Sequence, residues 1–262
     1  MEKQISDLEK YFRSNTDRLI HKWNHYFDVY ERHFSRFRGK EIVILEIGVS
    51  HGGSLQMWKN YFGPGARIFG VDIDPRCKEL EEENITIFIG SQSDKAFLES
   101  VKSQIPPLDI LNDDGGHTMI QQIRSFEVLF SALKEDGVYL CEDLHTSYWL
   151  SHGGGYRRSG TFIEYSKRFI DYLNAYHSEQ RALQVNDFTR SVDSIHYYDS
   201  IIVLEKRKKE APFHEKSGQN SFGERVISHS MWARVKRNLL RPSISLFNKV
   251  LRFFRIRSVI IR

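Results

Sequence analysis

The sequence predicts an α/β fold in which helices cover both faces of a mostly parallel sheet. Short apolar runs at 41–47, 66–72, 84–89 and 108–111 alternate with segments of helical periodicity. The runs are continuously apolar, which is typical of strands buried on both faces of a parallel sheet. Glycine or acidic residues follow these runs, and open α/β sheets bind ligands at this carboxyl edge. The pattern therefore predicts the architecture and the edge that carries the site.

Residues 1–39 are predicted to be a helical segment that precedes the sheet. Apolar positions recur at helical spacing between residues 4 and 37 and predict two helices. Their aromatic rings are expected to cover the sheet or the mouth of a site, or to pair with another subunit in a homo-oligomer. The histidines of this segment are expected to face solvent rather than bind a ligand: His21, His25 and His33.

A glycine-rich turn follows the first strand. Gly48, Gly52 and Gly53, with Ser50 among them, let the chain turn sharply and approach a ligand without a Cβ in the way. A helix is predicted from Leu55 to Tyr61. The turn is therefore predicted to be a binding loop between a strand and a helix.

Two carboxylates indicate the ligand of this loop. Asp72 ends the second strand and suits a ribose diol, because a carboxylate accepts hydrogen bonds from two adjacent hydroxyls. Glu46, two residues before Gly48, would repel a pyrophosphate but could bind an ammonium group. S-adenosylmethionine is therefore favoured over NAD. The alternative is an ordinary glycine turn of an α/β protein.

A polar loop at 90–94 follows the third strand. Gln92 is the side chain best suited to an adenine edge, because an amide both donates and accepts hydrogen bonds. A helix at 95–104 and the break at Pro106-Pro107 come next.

Acidic residues end the fourth and fifth strands. Asp114 follows the run at 108–111, and Glu142 and Asp143 follow an apolar run at 138–141. Carboxylates that converge at one sheet edge repel each other unless a cation lies between them, which predicts bound Mg²⁺ or Mn²⁺. The alternative is that one acid caps a helix and the others are solvated.

A histidine lies at the same rim. His117 follows two glycines, and an imidazole near neutral pH can accept a hydroxyl proton. Beyond it, a helix at 161–176 and an antiparallel strand pair at 194–198 and 200–205 complete the sheet, with His196 expected to be structural.

These motifs together resemble a known family, the metal-dependent class I S-adenosylmethionine O-methyltransferases that methylate sugar hydroxyls of macrolide antibiotics (the mycinamicin and macrocin group). Cephalosporin hydroxylase-like proteins share part of the pattern. The resemblance covers residues 40–205, and its most specific piece is the run from Glu142 to Trp149. The motifs that carry it are Glu46-Ile-Gly48 with Gly52, Gly70-Val-Asp72, Asp113-Asp114-Gly-Gly-His117 and Glu142-Asp143-Leu-His-Thr-Ser-Tyr148-Trp149.

The resemblance implies a Rossmann-like methyltransferase fold, a seven-stranded, mostly parallel sheet with an antiparallel edge strand. It implies Mg-dependent O-methylation of a sugar hydroxyl in a glycan or glycosylated natural product. His117 would be the general base, and Asp114, Glu142 and Asp143 would hold the metal. The predicted cofactor contacts are Glu46, Gly48, Ser50, Gly52, Asp72, Gln92 and Asp113, and the aromatic side chains expected to stack on the acceptor are Tyr148, Trp149 and Tyr156.

Two other functions stay open at this point. A non-catalytic nucleoside-binding or scaffold protein could keep the fold, although the three acids argue against it. A hydroxylase is disfavoured because three carboxylates do not match the two-histidine, one-carboxylate triad of non-haem iron enzymes.

Charge is unevenly distributed along the chain. Residues 206–262 carry 15 Lys or Arg and three acids, whereas residues 1–205 carry 23 Lys or Arg and 31 acids. We expect a polar linker at 206–230 and a basic amphipathic tail at 231–262, divided by Pro242. The tail suits an anionic membrane surface. The alternatives are an acidic partner, packing on the domain itself or another subunit and, less favoured, nucleic acid.

Location and cysteine chemistry follow from what the sequence lacks. It has no apolar run long enough to span a membrane and no secretory signal pattern. The protein is therefore expected in the cytoplasm, with peripheral attachment to the inner membrane face through the tail.

Cys77 and Cys141 have the spacing of neither a zinc cluster nor a disulfide framework and are expected to be inert packing residues.

Overall fold

The computed structural model describes residues 5–222 and 239–253. The chain divides into two compact units, Met1–Pro212 and Phe213–Arg262. The predicted helical segment 1–39 and the predicted sheet domain 40–205 both belong to the first unit. The domain boundaries predicted from the sequence otherwise stay predictions.

A seven-stranded sheet forms the centre of the first unit, with strand order β3-β2-β1-β4-β5-β7-β6. Strands β1 to β5 pair in parallel, and β7 runs antiparallel to both β5 and β6. The predicted fold class is therefore confirmed. The strands are β1 Ile42–Ile47, β2 Ala66–Asp72, β3 Ile85–Ile89, β4 Leu108–Asp113, β5 Leu133–Cys141, β6 Val192–Tyr198 and β7 Ile201–Lys206.

Helices connect the strands and cover both faces of the sheet. In the first unit they are α1 Asp7–Ser14, α2 Tyr26–Phe34, α3 Gly53–Phe62, α4 Lys95–Gln104, α5 Met119–Leu129, α6 Phe162–Ser166, α7 Arg168–Leu173 and α8 Asp187–Ser191; a further helix, α9 Arg241–Phe253, belongs to the second unit. Short 3₁₀ turns lie at Ser35–Phe37, Pro75–Leu80, Phe130–Ala132, Leu144–Tyr148, Leu150–His152 and Ala175–His177. The single helix predicted at 161–176 is therefore two short helices and a turn.

The hydrophobic core has two layers, one on each face of the sheet. Helices α1, α2 and α3 cover one face, with large side chains such as Tyr30, Phe34 and Trp58 fully buried. Helices α4 to α7 cover the other face. The N-terminal aromatic rings thus pack on the sheet, which is the first of the alternatives that the sequence left open. Cys77 and Cys141 are buried free thiols.

The N-terminal segment differs from its prediction between residues 15 and 25, here called the strap. Helical spacing predicts that Leu19, Ile20 and Trp23 belong to a helix, but the strap has no regular secondary structure. Asn15 offers the backbone other partners: its amide donates to Arg18 O, and its side-chain oxygen accepts from Asp17 N. Such local hydrogen bonds compete with helix formation.

His33 also differs from its prediction. It is buried rather than solvent-facing, with its Nδ1 2.5 Å from Glu205 Oε1 and its Nε2 2.9 Å from Tyr198 hydroxyl. These bonds join α2 to the β6–β7 strand pair. The His196 ring lies against the His33 ring at a tilt of 59°, with the centroids 4.8 Å apart.

The second unit contains helix α9, which begins at Arg241, so that Pro242 lies in its first turn. Proline is tolerated there because the first-turn amide has no intrahelical partner. Whether Pro242 divides the predicted tail involves residues 231–238, which lie outside the described residues. In the described parts of the chain, no helix is long and apolar enough to cross a membrane.

Candidate active site

A cavity of about 350 Å³ lies at the carboxyl ends of β1, β2 and β4, at the predicted edge. The strap lies over it and contributes Leu19, Ile20, His21 and Lys22 to its wall. The sheet side of the wall comes from the loops that follow the strands. Of the residues predicted to form the site, those that line the cavity are Gly48, Ser50, Asp72, Gln92, Asp114, His117 and Asp143.

The loop after β1 is held against β2 and β4. Gly48 has a φ of +94°, and a Cβ there would lie 2.0 Å from the carbonyl oxygen of Asp114, so only glycine fits. Asp72 Oδ2 accepts hydrogen bonds from Val49 N and Ser50 N at 2.8 Å each. Its Oδ1 accepts from Asp74 N at 2.9 Å, so the carboxylate is oriented at the cavity wall and Oδ1 keeps one further acceptor position for a ligand.

Gln92 lines the cavity but is occupied by its neighbours. Its Nε2 donates to Asp113 Oδ1 at 2.6 Å and to Ser125 Oγ at 2.8 Å, and its Oε1 accepts from Gly116 N at 3.0 Å. The predicted adenine contact would therefore need these bonds to change.

Asp113 and Gly52, two predicted cofactor contacts, are not among the described residues that line the cavity. Asp113 is 1% exposed; burial raises the pKa of its carboxyl to about 7, against the hydrogen bonds from Ser125, Gly115 and Gln92. Gly52 is the left-handed N-cap of α3, with a φ of +76°.

Glu46 also departs from its prediction. It is fully buried behind the cavity, where its oxygens accept hydrogen bonds from Ser54 Oγ at 2.6 Å and Trp58 Nε1 at 3.0 Å. The ammonium group nearest to it belongs to the chain itself, since Lys22 Nζ lies 3.8 Å away. Burial raises the pKa of Glu46, and Lys22 and the two hydrogen-bond donors oppose this shift.

Lys22 is a residue of this cluster that no sequence motif indicated. Its side chain is 2% exposed, and its ammonium lies 2.5 Å from Asp114 Oδ2 and 2.9 and 3.0 Å from the two oxygens of Glu142. Burial disfavours the charged form, but Asp114, Glu142 and Glu46 outweigh it and raise the pKa of Lys22. The ammonium is therefore a permanent positive charge within the acidic cluster.

Glu142 was predicted to be a metal ligand, but its carboxylate contacts other side chains of the protein. Both of its oxygens contact Lys22, and Oε1 also accepts from Asn112 Nδ2 at 2.9 Å. The predicted convergence of acids at the strand tips exists, but a lysine from the strap joins Asp114 to Glu142. In the sequence, the only sign of this link is a basic residue in a segment that was expected to cover the sheet or the mouth of the site.

The remaining ligand atoms form an open group at the cavity wall. His117 Nε2 lies 3.9 Å from Asp114 Oδ1 and 3.3 Å from Asp143 Oδ2, and these three side chains could hold one ion. Two carboxylates with an imidazole beside them fit a hard divalent cation. Burial lowers the pKa of His117, although Asp143 and Glu142 oppose the shift.

Asp143 is fixed by a second residue of the N-terminal segment. The hydroxyl of Tyr26, the first residue of α2, donates to Asp143 Oδ1 at 2.6 Å, which leaves Oδ2 facing His117. Burial and the Asp143 contact raise the pKa of Tyr26. The phenol therefore stays protonated and keeps donating.

The aromatic residues predicted to stack on an acceptor lie in the loop after β5. Tyr148, Trp149 and Tyr156 are 52%, 48% and 77% exposed. The Trp149 ring contacts His145 and His152, with centroids 4.7 and 5.4 Å away. These residues are not among those that line the cavity, and stacking on an acceptor stays a prediction.

Comparison with known proteins gives several O-methyltransferases of glycosylated natural products among the relatives. No protein-family model matches the chain. The 8-demethyl-8-alpha-L-rhamnosyl tetracenomycin-C 2'-O-methyltransferase of Streptomyces olivaceus is 37% identical over 201 residues, which is 71% of this chain and 52% of that protein. The mycinamicin VI 2''-O-methyltransferase of Micromonospora griseorubida is 33% identical over 196 residues, 69% of this chain and 48% of that protein.

A solved structure agrees with these relatives. The MycE methyltransferase from the mycinamycin biosynthetic pathway, in complex with Mg, SAH and mycinamycin VI, is 27% identical, with a TM-score of 0.70 over 89% of this chain and 60% of that one. The chain spans about half the length of the curated relatives it matches. These similarities, with the strand order, identify the chain as a relative of the class I S-adenosylmethionine O-methyltransferases of the mycinamicin and macrocin group.

Proposed function

We propose that the protein is an S-adenosylmethionine- and Mg²⁺-dependent O-methyltransferase that acts on a sugar hydroxyl of a glycan or glycosylated natural product. One observation carries the proposal. Asp72, suited to a ribose, and the group formed by Asp114, His117 and Asp143 line the same cavity. A nucleoside-linked methyl donor and a metal-assisted acceptor would therefore meet there.

The cofactor would be held by the loops after β1, β2 and β3. S-adenosylmethionine would supply an electrophilic methyl group on its sulfonium. Asp72 would accept from the ribose hydroxyls, while the backbone at Gly48 and Ser50 would lie against the cofactor. Gln92 would support this wall through its bonds to Asp113 and Gly116. The MycE structures with Mg and SAH support this assignment.

The carboxylates of Asp114 and Asp143 would hold the divalent ion. When bound, Mg²⁺ would supply positive charge that lowers the pKa of the acceptor hydroxyl. His117 would take the hydroxyl proton on Nε2 as the general base, and its lowered pKa keeps the imidazole neutral and able to accept.

The acceptor would enter beside the loop after β5. The exposed rings of Tyr148, Trp149 and Tyr156 offer apolar faces on which a sugar ring could stack. The names of the relatives, which methylate rhamnosyl and other glycosyl groups, support a sugar as the acceptor class.

The test combines binding and turnover. Calorimetry should detect S-adenosylmethionine binding, and methyl transfer to deoxysugar glycosides should require Mg²⁺ and stop with EDTA. We expect His117→Ala to lower kcat by about 10²- to 10⁴-fold, as is typical when a general base is removed. His177→Ala, in the turn Ala175–His177, is the matched control.

The outcome separates the enzyme from its alternative. A protein that binds S-adenosylmethionine, with or without Mg²⁺, but transfers no methyl group to any glycoside would be a nucleoside-binding scaffold. A protein that transfers methyl groups equally well in EDTA would contradict the metal requirement only.

We further propose that the protein attaches peripherally to the cytoplasmic face of an anionic membrane through the basic tail. Helix α9 supports this, with Leu246, Phe247 and Val250 exposed and Lys249 among them. Sedimentation with phosphatidylglycerol vesicles should carry the full chain down at low salt but not at high salt. Lys249→Glu should weaken the attachment, and equal binding to neutral vesicles would contradict it.

We also propose that the protein is a homo-oligomer. The support is a groove of about 780 Å³ in the first unit, lined by aromatic rings that include Phe130, Tyr172 and Phe188. Charged side chains such as Glu127 and Arg168 lie around these rings, and exposed apolar patches with a polar rim often mark interaction sites. Light scattering on the eluted protein should give a mass that is a multiple of 30.9 kDa, and a monomer at all concentrations would contradict this.

A further inference from the structure

We propose that Lys22 is a built-in cation of the carboxylate cluster and that it determines which carboxylates remain for the divalent ion. This inference rests on the proposed function, because it concerns the ion which that function requires. Lys22 belongs to the strap, which lies outside every motif that indicates the site in the sequence.

The two oxygens of Asp114 face different neighbours. Oδ2 contacts the Lys22 ammonium, which also lies within 3.0 Å of both oxygens of Glu142. Oδ1 faces the other way, toward His117 Nε2 and the group that includes Asp143. Asp114 therefore lies between two positions suited to a cation, and the ammonium fills one of them.

Packing of the strap fixes where Lys22 lies. The carbonyl oxygens of Arg18 and Leu19 approach α3 so closely that a Cβ on Gly53 would lie 2.5 and 2.4 Å from them. Directly after the strap, Tyr26 at the start of α2 donates to Asp143. The segment that carries Lys22 is thus attached on both sides of the cavity.

The charges at this edge require more than one cation. Glu46, Asp114, Glu142 and Asp143 bring four carboxylates together, and Lys22 Nζ lies within 4.0 Å of three of them. One divalent ion balances two negative charges. A buried ammonium balances a third, which reduces the repulsion that the remaining charges would cause in a partly buried site.

The arrangement leaves two carboxylates for the ion. Glu142 is taken by Lys22 and Asn112, whereas Asp114 Oδ1 and Asp143 Oδ2 face the open group. Mg²⁺ is commonly bound in proteins by one or two carboxylates together with several waters. Glu142 would then act from outside the coordination shell, as the partner that holds Lys22.

The experiment is a calorimetric titration of the full chain with Mn²⁺, without S-adenosylmethionine, with thermal melts to verify folding. We expect one Mn²⁺ per chain, a loss of affinity above about 100-fold in Asp143→Asn, and a loss of only about tenfold in Glu142→Gln. Residues outside the shell typically change metal affinity by about 10- to 100-fold, and ligands by more.

A double variant tests Lys22 itself. Lys22→Met alone leaves buried carboxylates without their partner and endangers folding, so Lys22→Met is combined with Glu142→Gln, which removes the pair together. We expect this variant to fold and to bind one Mn²⁺ with an affinity within about tenfold of that of the unsubstituted protein, because both groups lie outside the coordination shell. Lys10→Met, at an exposed lysine of α1, is the matched control.

Two results would overturn the assignment while the proposed function stands. One is a loss of Mn²⁺ affinity in Glu142→Gln as complete as the loss in Asp143→Asn, which would make Glu142 a metal ligand. The other is a double variant that no longer binds Mn²⁺ although it is folded. An unsubstituted protein that binds no Mn²⁺ would instead overturn the metal requirement of the proposed function, and this assignment with it.

Discussion

Asp113 and Asp114 are adjacent in sequence but have different environments. The strand alternation of β4 turns Asp113 into the layer between β4 and α5, where Gln92 and Ser125 surround it. Asp114 comes just after the strand and faces the cavity and Lys22. Two neighbouring acids therefore differ in what they can bind, and the loop geometry decides which one meets a ligand.

The sequence indicated the position of those candidate residues whose placement depends on the local end of a strand. Asp72, Asp114 and His117 line the cavity because Asp72 ends β2 and the other two residues follow β4, and each of these strands ends with its apolar run. Glu46 and Glu142 could not be predicted in this way. Their partners come from elsewhere, with Trp58 on α3 for Glu46 and Lys22, 120 residues earlier, for Glu142.

A glycine substitution tests the close approach of the first loop to β4. Gly48→Ala would bring a Cβ to 2.0 Å from Asp114 O, so we expect loss of S-adenosylmethionine binding and a lower melting temperature. Gly39→Ala is the matched control, because Gly39 also has a positive φ, +68°, but nothing within 4 Å of its Cβ position. The control should cost only about 1 kcal/mol of unfolding free energy. If Gly48→Ala and Gly39→Ala lowered S-adenosylmethionine binding and the melting temperature equally, the steric explanation would be contradicted.

At the scale of elements, the strap shows the limit of periodicity. Apolar spacing alone predicts that the second helix includes Leu19, Ile20 and Trp23, yet Asn15 ends α1 and the chain continues to the cavity without regular secondary structure. The strand predictions were more accurate because continuous apolar runs are buried on both faces in any parallel sheet. Pairing order and the reversal of β7 required contacts between distant segments.

The contact between the strap and α3 can be tested at one position. Gly53 is the first residue of α3, where alanine would ordinarily stabilise a helix by about 1 kcal/mol relative to glycine. We expect Gly53→Ala to destabilise instead, because its Cβ would lie 2.4 Å from Leu19 O. Hydrogen exchange should increase in residues 15–22 and remain unchanged in α4. A stabilised variant with normal exchange in the strap would rule out this packing.

The junction of α2 with the β6–β7 strand pair gives a pH dependence. The hydrogen bond from His33 lowers the pKa of Glu205 to about 2, burial opposes the shift, and Arg36 adds to it. Since this pKa is below the ordinary value of 4.5, the stabilisation is complete above pH 4.5 and is lost as pH falls toward 2.

The corresponding prediction concerns Glu205→Gln. After allowance for solvent screening of this partly exposed group, we expect the substitution to lower the free energy of unfolding by about 1–2 kcal/mol at pH 6. The difference should become smaller as pH approaches 2. Urea unfolding at several pH values measures it. Glu99→Gln on α4 controls for the loss of one surface carboxylate. A Glu205→Gln effect that is the same at pH 2.5 and pH 6 would contradict the pairing.

At the scale of the whole molecule, the cavity edge collects negative charge that folding must bring together. The fold class and the sheet edge that carries the cavity were predictable, because both follow from the order of apolar runs and the residues after them. The balance of charge was not, since Lys22 enters the acidic cluster from a segment that precedes the sheet. Folding of the N-terminal segment and formation of the site are therefore coupled.

This coupling predicts that a divalent ion stabilises the first unit as a whole. Binding only to the folded state adds about 2.7 kcal/mol at a ligand concentration 100 times the Kd, and for a domain of this size that corresponds to about 5–10 °C in Tm. We expect Mg²⁺ to raise the Tm, EDTA to reverse the rise, and Asp143→Asn to abolish it. His33, His196 and Glu205 form another group of potential ligands, so His196→Ala is the control for binding there. A rise that persists in Asp143→Asn but disappears in His196→Ala would place the ion at the junction of α2 with β6 and β7, away from the cavity.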